Sequence, residues 1–264
     1  MWSSIYLIEK RSGWSLNRRM YLQQDTITLY DDKCVQCDIC INTCPKEALS
    51  FPEEEGTRQL RIDPDKCSFC GACSASCLFK AIRQTKNEKI AMPVVEYEAF
   101  PRLLGGSMAL DERRQKCNGC GTCVISCPRG AIEILYTPEG PTLMNDVEKC
   151  AGCLTCEANC PFEIVNSHSV FTGEFKLEHE KCDPNCSKCI SKCPMDALYR
   201  LDVNLESKGA GLVFWDEHSC TYCRACEFVC PEKCIAVKRT VMKVFPDVFM
   251  TPAFEEAKKK LLSK

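Results

Sequence analysis

The chain has 264 residues, a formal net charge of −2, 27% charged residues and 25 cysteines. That cysteine content falls in the roughly 8–10% range that marks a disulfide scaffold in a short secreted chain. Residues 1–30 hold no apolar signal-peptide core, however, so reduced thiols in a cytoplasmic setting are expected. No apolar run reaches the ~18 residues of a membrane helix. Once cysteine is set aside from the 45% counted as hydrophobic, few aliphatic and aromatic side chains remain for a core. Bound metal is therefore expected to contribute folding free energy.

In chain order, residues 1–33 precede any cysteine. The pattern SSIYLIEK, Arg11-Ser12-Gly13, WSLNRRMYL reads as two strands about a turn, and Thr26–Tyr30 alternates as a third strand. Six cysteine runs follow. They are Cys34, Cys37, Cys40, Cys44-Pro45; Cys67, Cys70, Cys73, Cys77-Leu78; and Cys117, Cys120, Cys123, Cys127-Pro128. The remaining three are Cys150, Cys153, Cys156, Cys160-Pro161; Cys182, Cys186, Cys189, Cys193-Pro194; and Cys220, Cys223, Cys226, Cys230-Pro231.

Around them lies a repeat. Strand-like segments (TITLY, RQLRI, PTLMN, FKLEH, GLVFW) lead into the runs. Lys33, Lys66, Lys116, Lys149 and Lys181 stand directly before a first cysteine, with Ser219 in the sixth copy. Each run closes in C-P-x-x-A-I or a variant, read as one short helical turn and then a strand. Four positions after the last cysteine come Ala48, Ala81, Ala131, Ile164, Ala197 and Cys234. The odd cysteine, Cys234, thus occupies the small-residue slot and reads as a buried filler, not a spare ligand or a reactive thiol. Segment 90–110 is apolar for a linker, with a Gly105-Gly106 turn, and is expected to pack on a neighbour or cover a metal site. The tail from Pro252 reads as a short exposed helix, with Glu255 and Glu256 early and lysines late.

Three cysteines at i, i+3 and i+6 can wrap one face of a metal centre, so a fourth must come from elsewhere. Zinc sites more often use two separated C-x2-C pairs. The fifth run, C-x3-C-x2-C, resembles the radical-SAM signature, but Cys193-Pro194 follows at the repeat position, so an extra loop residue is the better reading. His168, His179 and His218 form no paired spacing, and Gly209-Ala-Gly211 is too short for a dinucleotide fingerprint. A non-catalytic chain follows.

The run from Cys117 to Pro128 is similar to that of bacterial-type ferredoxins, which hold [4Fe–4S] clusters through thiolates. Over about residues 34–237 the chain resembles polyferredoxins. The resemblance implies an α+β fold of tandem bacterial-ferredoxin-like domains with six [4Fe–4S] clusters. Around these lie an N-terminal β-hairpin (1–22) and a short C-terminal helix within the tail 241–264. The expected domains are 23–89, 111–172 and 173–240, two clusters each, with 90–110 as a linker or docking segment.

In two-cluster ferredoxins the fourth cysteine of one run ligates the other cluster. The gaps between runs hold 22, 39, 22, 21 and 26 residues, which favours sequential pairs. The implied sets are Cys34, Cys37, Cys40 with Cys77; Cys67, Cys70, Cys73 with Cys44; and Cys117, Cys120, Cys123 with Cys160. They continue as Cys150, Cys153, Cys156 with Cys127; Cys182, Cys186, Cys189 with Cys230; and Cys220, Cys223, Cys226 with Cys193. A nested alternative, run 4 with 5 inside run 3 with 6, stays open. Such loading would take the formal charge to about −14, which argues against a nucleic-acid partner. Lys188, Lys192 and Arg224 lie in or beside cysteine loops and could raise local potentials; surface ion pairs are the alternative.

More narrowly, RRMYLQQDTITLYDDKC and MPVVEYEAFPRL resemble the polyferredoxin subunit of formylmethanofuran dehydrogenase, although those relatives carry eight runs. That resemblance implies a relay within an anaerobic redox complex. Electrons would pass from a donor such as a heterodisulfide reductase or hydrogenase to a tungsten or molybdenum subunit, in methanogenesis or its reverse. The polyferredoxin of a hydrogenase complex and a redox-inert, metal-stabilised interaction subunit are the alternatives.

Overall fold

The computed structural model describes residues 4–52, 58–103, 109–110, 117–200, 212–244 and 251–263. The Gly105-Gly106 turn, Lys116 and Gly209–Gly211 lie outside the described residues. Two compact units form: Met1–Leu103 with Pro246–Lys264, and Leu104–Phe245.

In the first unit, strands β1 (Ser4–Lys10), β2 (Gly13–Met20) and β3 (Gln23–Tyr30) make an antiparallel meander. The expected hairpin is therefore no appendage: β3 pairs onward with β6 (Ile82–Lys86), which pairs with β7 (Lys89–Ile90), giving the order β1-β2-β3-β6-β7. Its tight corner needs Gly13, where φ is +119° and an added Cβ would stand 2.1 Å from the Leu29 carbonyl oxygen. Alternation along β3 sends Ile27 and Leu29 inward, as a half-buried strand requires. There they meet Trp14, Leu16, Leu60 and Phe69, together with Cys40, Cys73 and Cys77, so thiols belong to the core. The Trp14 indole donates to the Leu60 carbonyl at 2.8 Å, which satisfies its one polar atom.

Between these strands lie helix α1 (Ile39–Thr43), the short strands β4 (Leu49–Ser50) and β5 (Arg61–Ile62), and helix α2 (Ala72–Ser76). Helix α3 (Pro93–Glu98) starts on Pro93, as helices often do, and lies over the second cysteine loop. Val94 N–H donates to the Cys70 carbonyl at 2.8 Å, and Leu103 N–H to that of Ala75 at 2.9 Å.

The C-terminal helix Pro252–Leu262 is capped by the Thr251 hydroxyl, which accepts from Phe254 N–H. It is not the exposed helix expected from the sequence. Phe254, Ala257 and Leu261 form a buried stripe packed on α1, and Phe254 meets Phe100 edge-on at 5.2 Å. The spacing i, i+3, i+7 is one helix face, legible beneath the lysines. Phe254→Ala is expected to lower the unfolding free energy of this unit by about 3–5 kcal/mol. Denaturant titration of the loaded chain checks this, with hydrogen exchange showing lost protection in the terminal helix.

In the second unit, α4 (Thr122–Ile125) is followed by the hairpin β9 (Ile132–Thr137) and β10 (Gly140–Asn145), then by α5 (Thr155–Ala158). Strand β11 (Val165–Asn166) pairs with β8 (Ala109–Leu110). Strand β12 (Phe171–Leu177) precedes α6 (Lys188–Lys192), β13 (Leu198–Arg200) and β14 (Val213–Trp215); α7 (Ala225–Val229) and β15 (Ile235–Met242) follow. β12 pairs with β15, and β13 with β14. Helices pack in pairs, α1 with α2, α4 with α5 and α6 with α7. Each pair comes from two cysteine runs. No helix among the described residues is long and apolar enough to cross a membrane.

Candidate metal centres

Every cysteine run has the same local build. Its single helical turn comes before the last cysteine, not after the proline as expected from the sequence. The backbone at Cys44, Cys77, Cys193 and Cys230 is extended. A following proline forces this in three of those cases. Three positions later φ turns positive in all six runs: Glu47 (50°), Lys80 (54°), Gly130 (56°), Glu163 (51°), Asp196 (51°) and Lys233 (50°). Left-handed backbone costs most residues free energy, so its recurrence at one register in five charged residues and only one glycine marks an imposed geometry.

That turn aims the next N–H back at sulfur. Ala48 donates to Cys44 Sγ at 3.3 Å, Ala81 to Cys77 at 3.2 Å, Ala131 to Cys127 at 3.3 Å and Ala197 to Cys193 at 3.3 Å. The small-residue slot is explained: its backbone must approach a thiol. In the sixth run Cys234 fills the slot, 3% exposed, with its Sγ 3.3 Å from Cys230 Sγ. Near the first cysteine of the third and sixth runs the loop folds alike, with Gly119 N–H donating to Cys117 Sγ and Tyr222 N–H to Cys220 Sγ, both at 3.4 Å.

The thiols gather in fours. One recess, with about 300 Å³ of free space partly open to solvent, is lined by Cys117, Cys120, Cys123 and Cys160. A second, of about 410 Å³, is lined by Cys127, Cys150, Cys153 and Cys156. A third, of about 360 Å³, is lined by Cys193, Cys220, Cys223 and Cys226. The other groups show in the electrostatics. Burial raises the Cys40 thiol well above its ordinary pKa, and Cys37, Cys77, Cys73 and Cys34 raise it further. Cys73 is likewise raised by burial, then by Cys70, Cys67 and Cys44. Cys189 is raised by burial first, with Cys182, Cys186 and Cys230 adding to it.

Burial also lifts Cys156 to about 11 and Cys223 to about 12. Exposed Cys120 moves the other way, lowered by its hydrogen bond with the Thr122 hydroxyl. Four thiols facing one another resist joint ionisation, because each thiolate repels the next. A polycationic guest removes that penalty and draws out the protons. Among the described residues no three His, Cys, Asp or Glu side chains converge tightly enough for one ion. The thiols stand around a larger volume, and soft sulfur donors with backbone N–H groups aimed at them suit an iron–sulfur cubane.

In the second, third, fifth and sixth runs a side chain from the strand that follows holds the cysteine loop, and sequence reading missed these. Gln84 donates to the Phe69 carbonyl at 2.7 Å, and Tyr136 to that of Gly119 at 3.2 Å. Arg200 donates to the carbonyls of Pro184 and Cys186. Arg239 donates to those of Tyr222 at 2.9 Å and Cys223 at 3.1 Å. The signal was available for two of them: Gln84 and Arg239 occupy inward positions of alternating strands. By contrast, Arg224 is ion-paired with Glu227 at 2.9 Å. Lys66, Lys149 and Lys181 pair with Asp63, Asp146 and Glu178 on the surface, where such pairs contribute little.

Family models described as "4Fe-4S dicluster domain" match residues 33–81 and 116–164, and another of the same description matches 66–132. Together they span half of the chain, and the fifth and sixth runs, beyond that span, repeat its backbone geometry. The ferredoxin-type protein NapF of Escherichia coli (strain K12) is 29% identical over 126 residues, 39% of this chain and 76% of the relative. The polyferredoxin-like subunit of an aliphatic sulfonate oxidoreductase from Pyrococcus furiosus is 42% identical over 52 residues, 19% of this chain and 29% of that one. A solved chain in the formate dehydrogenase–heterodisulfide reductase–formylmethanofuran dehydrogenase complex of Methanospirillum hungatei superposes with a TM-score of 0.83. It is 26% identical, over 98% of this chain and 91% of the other. Repeated cysteine runs, an α+β fold of short elements and these matches agree: the chain belongs to the 4Fe-4S dicluster ferredoxin family.

Proposed function

We propose that the chain carries six [4Fe–4S] clusters and serves as the electron-relay subunit of a larger anaerobic complex, linking a donor to a formylmethanofuran dehydrogenase. The proposed ligand sets are Cys34, Cys37, Cys40, Cys77; Cys67, Cys70, Cys73, Cys44; and Cys117, Cys120, Cys123, Cys160. The other three are Cys150, Cys153, Cys156, Cys127; Cys182, Cys186, Cys189, Cys230; and Cys220, Cys223, Cys226, Cys193. One observation supports this above others: three thiols of one run repeatedly face the last thiol of its partner run. Each such exchange ties two runs into one unit, and the proposed domains 23–89, 111–172 and 173–240 follow. The likeness to a chain from the Methanospirillum hungatei assembly supports the choice of complex.

When bound, a cluster takes up and releases one electron at a time. The protein's own work is positional. Thiolates fix each centre, and N–H groups such as those of Ala48 and Ala197 stabilise sulfur charge. Buried side chains such as Phe69 and Leu16 keep water from the first pair of sites. Anaerobically purified protein is expected to hold about four irons and four sulfides per run, with S = 1/2 signals after dithionite. It is also expected to co-purify with formylmethanofuran dehydrogenase subunits. Colourless, zinc-loaded protein would sink the relay, and co-purification with a hydrogenase alone would move it to another complex.

A further inference from the structure

Among the described residues Arg239 is the largest fully buried side chain, with 0% exposure. It sits in β15 at a position where the pattern of buried Ile235 and Val237 calls for an apolar residue. Its guanidinium lies over the Phe171 ring, 4.9 Å from the centroid, and donates to the carbonyls of Tyr222 and Cys223. Those two residues belong to the loop that presents Cys220, Cys223 and Cys226 to the third recess. In the second and third runs the carbonyl two places after the first cysteine is held by a neutral side chain, the Gln84 amide at Phe69 and the Tyr136 hydroxyl at Gly119, and in the fifth by the half-buried Arg200 at Pro184. Holding the loop therefore does not require a charge. In the sixth run a permanent cation does the same task from inside the protein.

Position decides what that cation does. A charge in solvent is screened, whereas one sealed beside the site acts through a medium of low effective dielectric constant. The reduced form of a cluster site carries one more negative charge than the oxidised form. A fixed positive neighbour therefore favours reduction.

We propose that Arg239 is a positioning residue that raises the reduction potential of the site lined by Cys193, Cys220, Cys223 and Cys226, fixing its ligand loop while placing a buried positive charge beside the thiolates. This inference rests on the electron-relay reading. It makes the sixth-run site easier to reduce than one clamped by a neutral side chain, and so a place where electrons collect.

The test compares full-length wild type with Arg239→Gln and Arg239→Lys, purified anaerobically, by iron and sulfide content and EPR-monitored redox titration. Glutamine keeps a carbonyl-directed donor without charge, and lysine keeps the charge. Arg239→Gln is expected to retain wild-type iron and to shift one midpoint negative by a tenfold or larger change in the oxidised-to-reduced ratio, 59 mV for one electron. Arg239→Lys is expected to restore it. An unchanged midpoint in a fully loaded Arg239→Gln overturns the proposal. Should that variant lose iron, Gln84→Lys carries the test in reverse. It places a cation at the matching carbonyl of the second run, at a position where the native side chain is 1% exposed, and must shift a midpoint positive; no shift in the loaded protein overturns the proposal. Wild-type protein without iron defeats the relay reading itself, a distinguishable outcome.

Discussion

Cys127→Ser is expected to remove the centre held by the fourth run and to leave that of its own run intact. Cys127 lines the recess of Cys150, Cys153 and Cys156, whereas Cys160 lines that of Cys117, Cys120 and Cys123. A serine hydroxyl is a far harder, less acidic donor than a thiol, so the affected site loses a ligand. The comparison needs no spectral assignment. Cys127→Ser should match Cys153→Ser in its lost EPR signal, and Cys160→Ser should match Cys120→Ser. Each is expected to cost up to about four irons, one cluster's worth. If Cys127→Ser instead matches Cys120→Ser, each run closes its own site and the proposed exchange fails. A nested arrangement predicts a third result, because Cys127 would then serve the sixth run.

Iron removal is expected to affect the two units unequally. The first unit keeps a five-stranded sheet with Trp14, Leu16, Ile27 and Leu29 packed beneath it. In the second, the described strands pair only in twos, and isolated two-stranded pairs are marginal in water. Chelation under reducing conditions should therefore unfold Leu104–Phe245 while β1, β2 and β3 stay protected, as hydrogen exchange with peptide resolution would show. Equal loss of protection in both units would refute this.

The pH dependence should change sign with loading. In the iron-free first unit, which keeps its sheet, burial holds the Cys40 and Cys73 thiols well above the ordinary 9.0. The unfolded chain then releases protons first, so stability contributed by these thiols is present below pH 9 and is lost as pH rises toward their raised values. The loaded fold needs thiolates and is lost toward acid instead. Thermal melts of both forms across pH would display the opposite slopes.

Much of this was legible because metal ligation constrains sequence more tightly than packing does. Six C-x2-C-x2-C-x3-C runs, one with an extra loop residue, announce thiolate clusters. The alternation of residues 26–30 gives β3, and the shared small-residue slot identifies Cys234 as a filler. Other features were misread for local reasons. The tail's lysines concealed Phe254, Ala257 and Leu261, since a charged helix with one apolar stripe looks solvated until its partner is known. The helical turn was placed after the proline, although the extended backbone at the last cysteine shows that it ends before it.

Arg239 lay beyond reach in another way. Its strand position was visible, but the carbonyls it would meet lie 16 and 17 residues away in sequence. What the sequence determined by itself was the chemistry: which residues are ligand candidates, how many runs there are, and that ordinary packing could not account for the chain. What the tertiary structure decided was partnership: which fourth thiol faces which three, and which loop is held by an amide, a phenol or a buried guanidinium. Ligand type follows from the element a metal prefers, whereas partnership depends on chain paths between distant segments, and these are settled only when the whole chain packs.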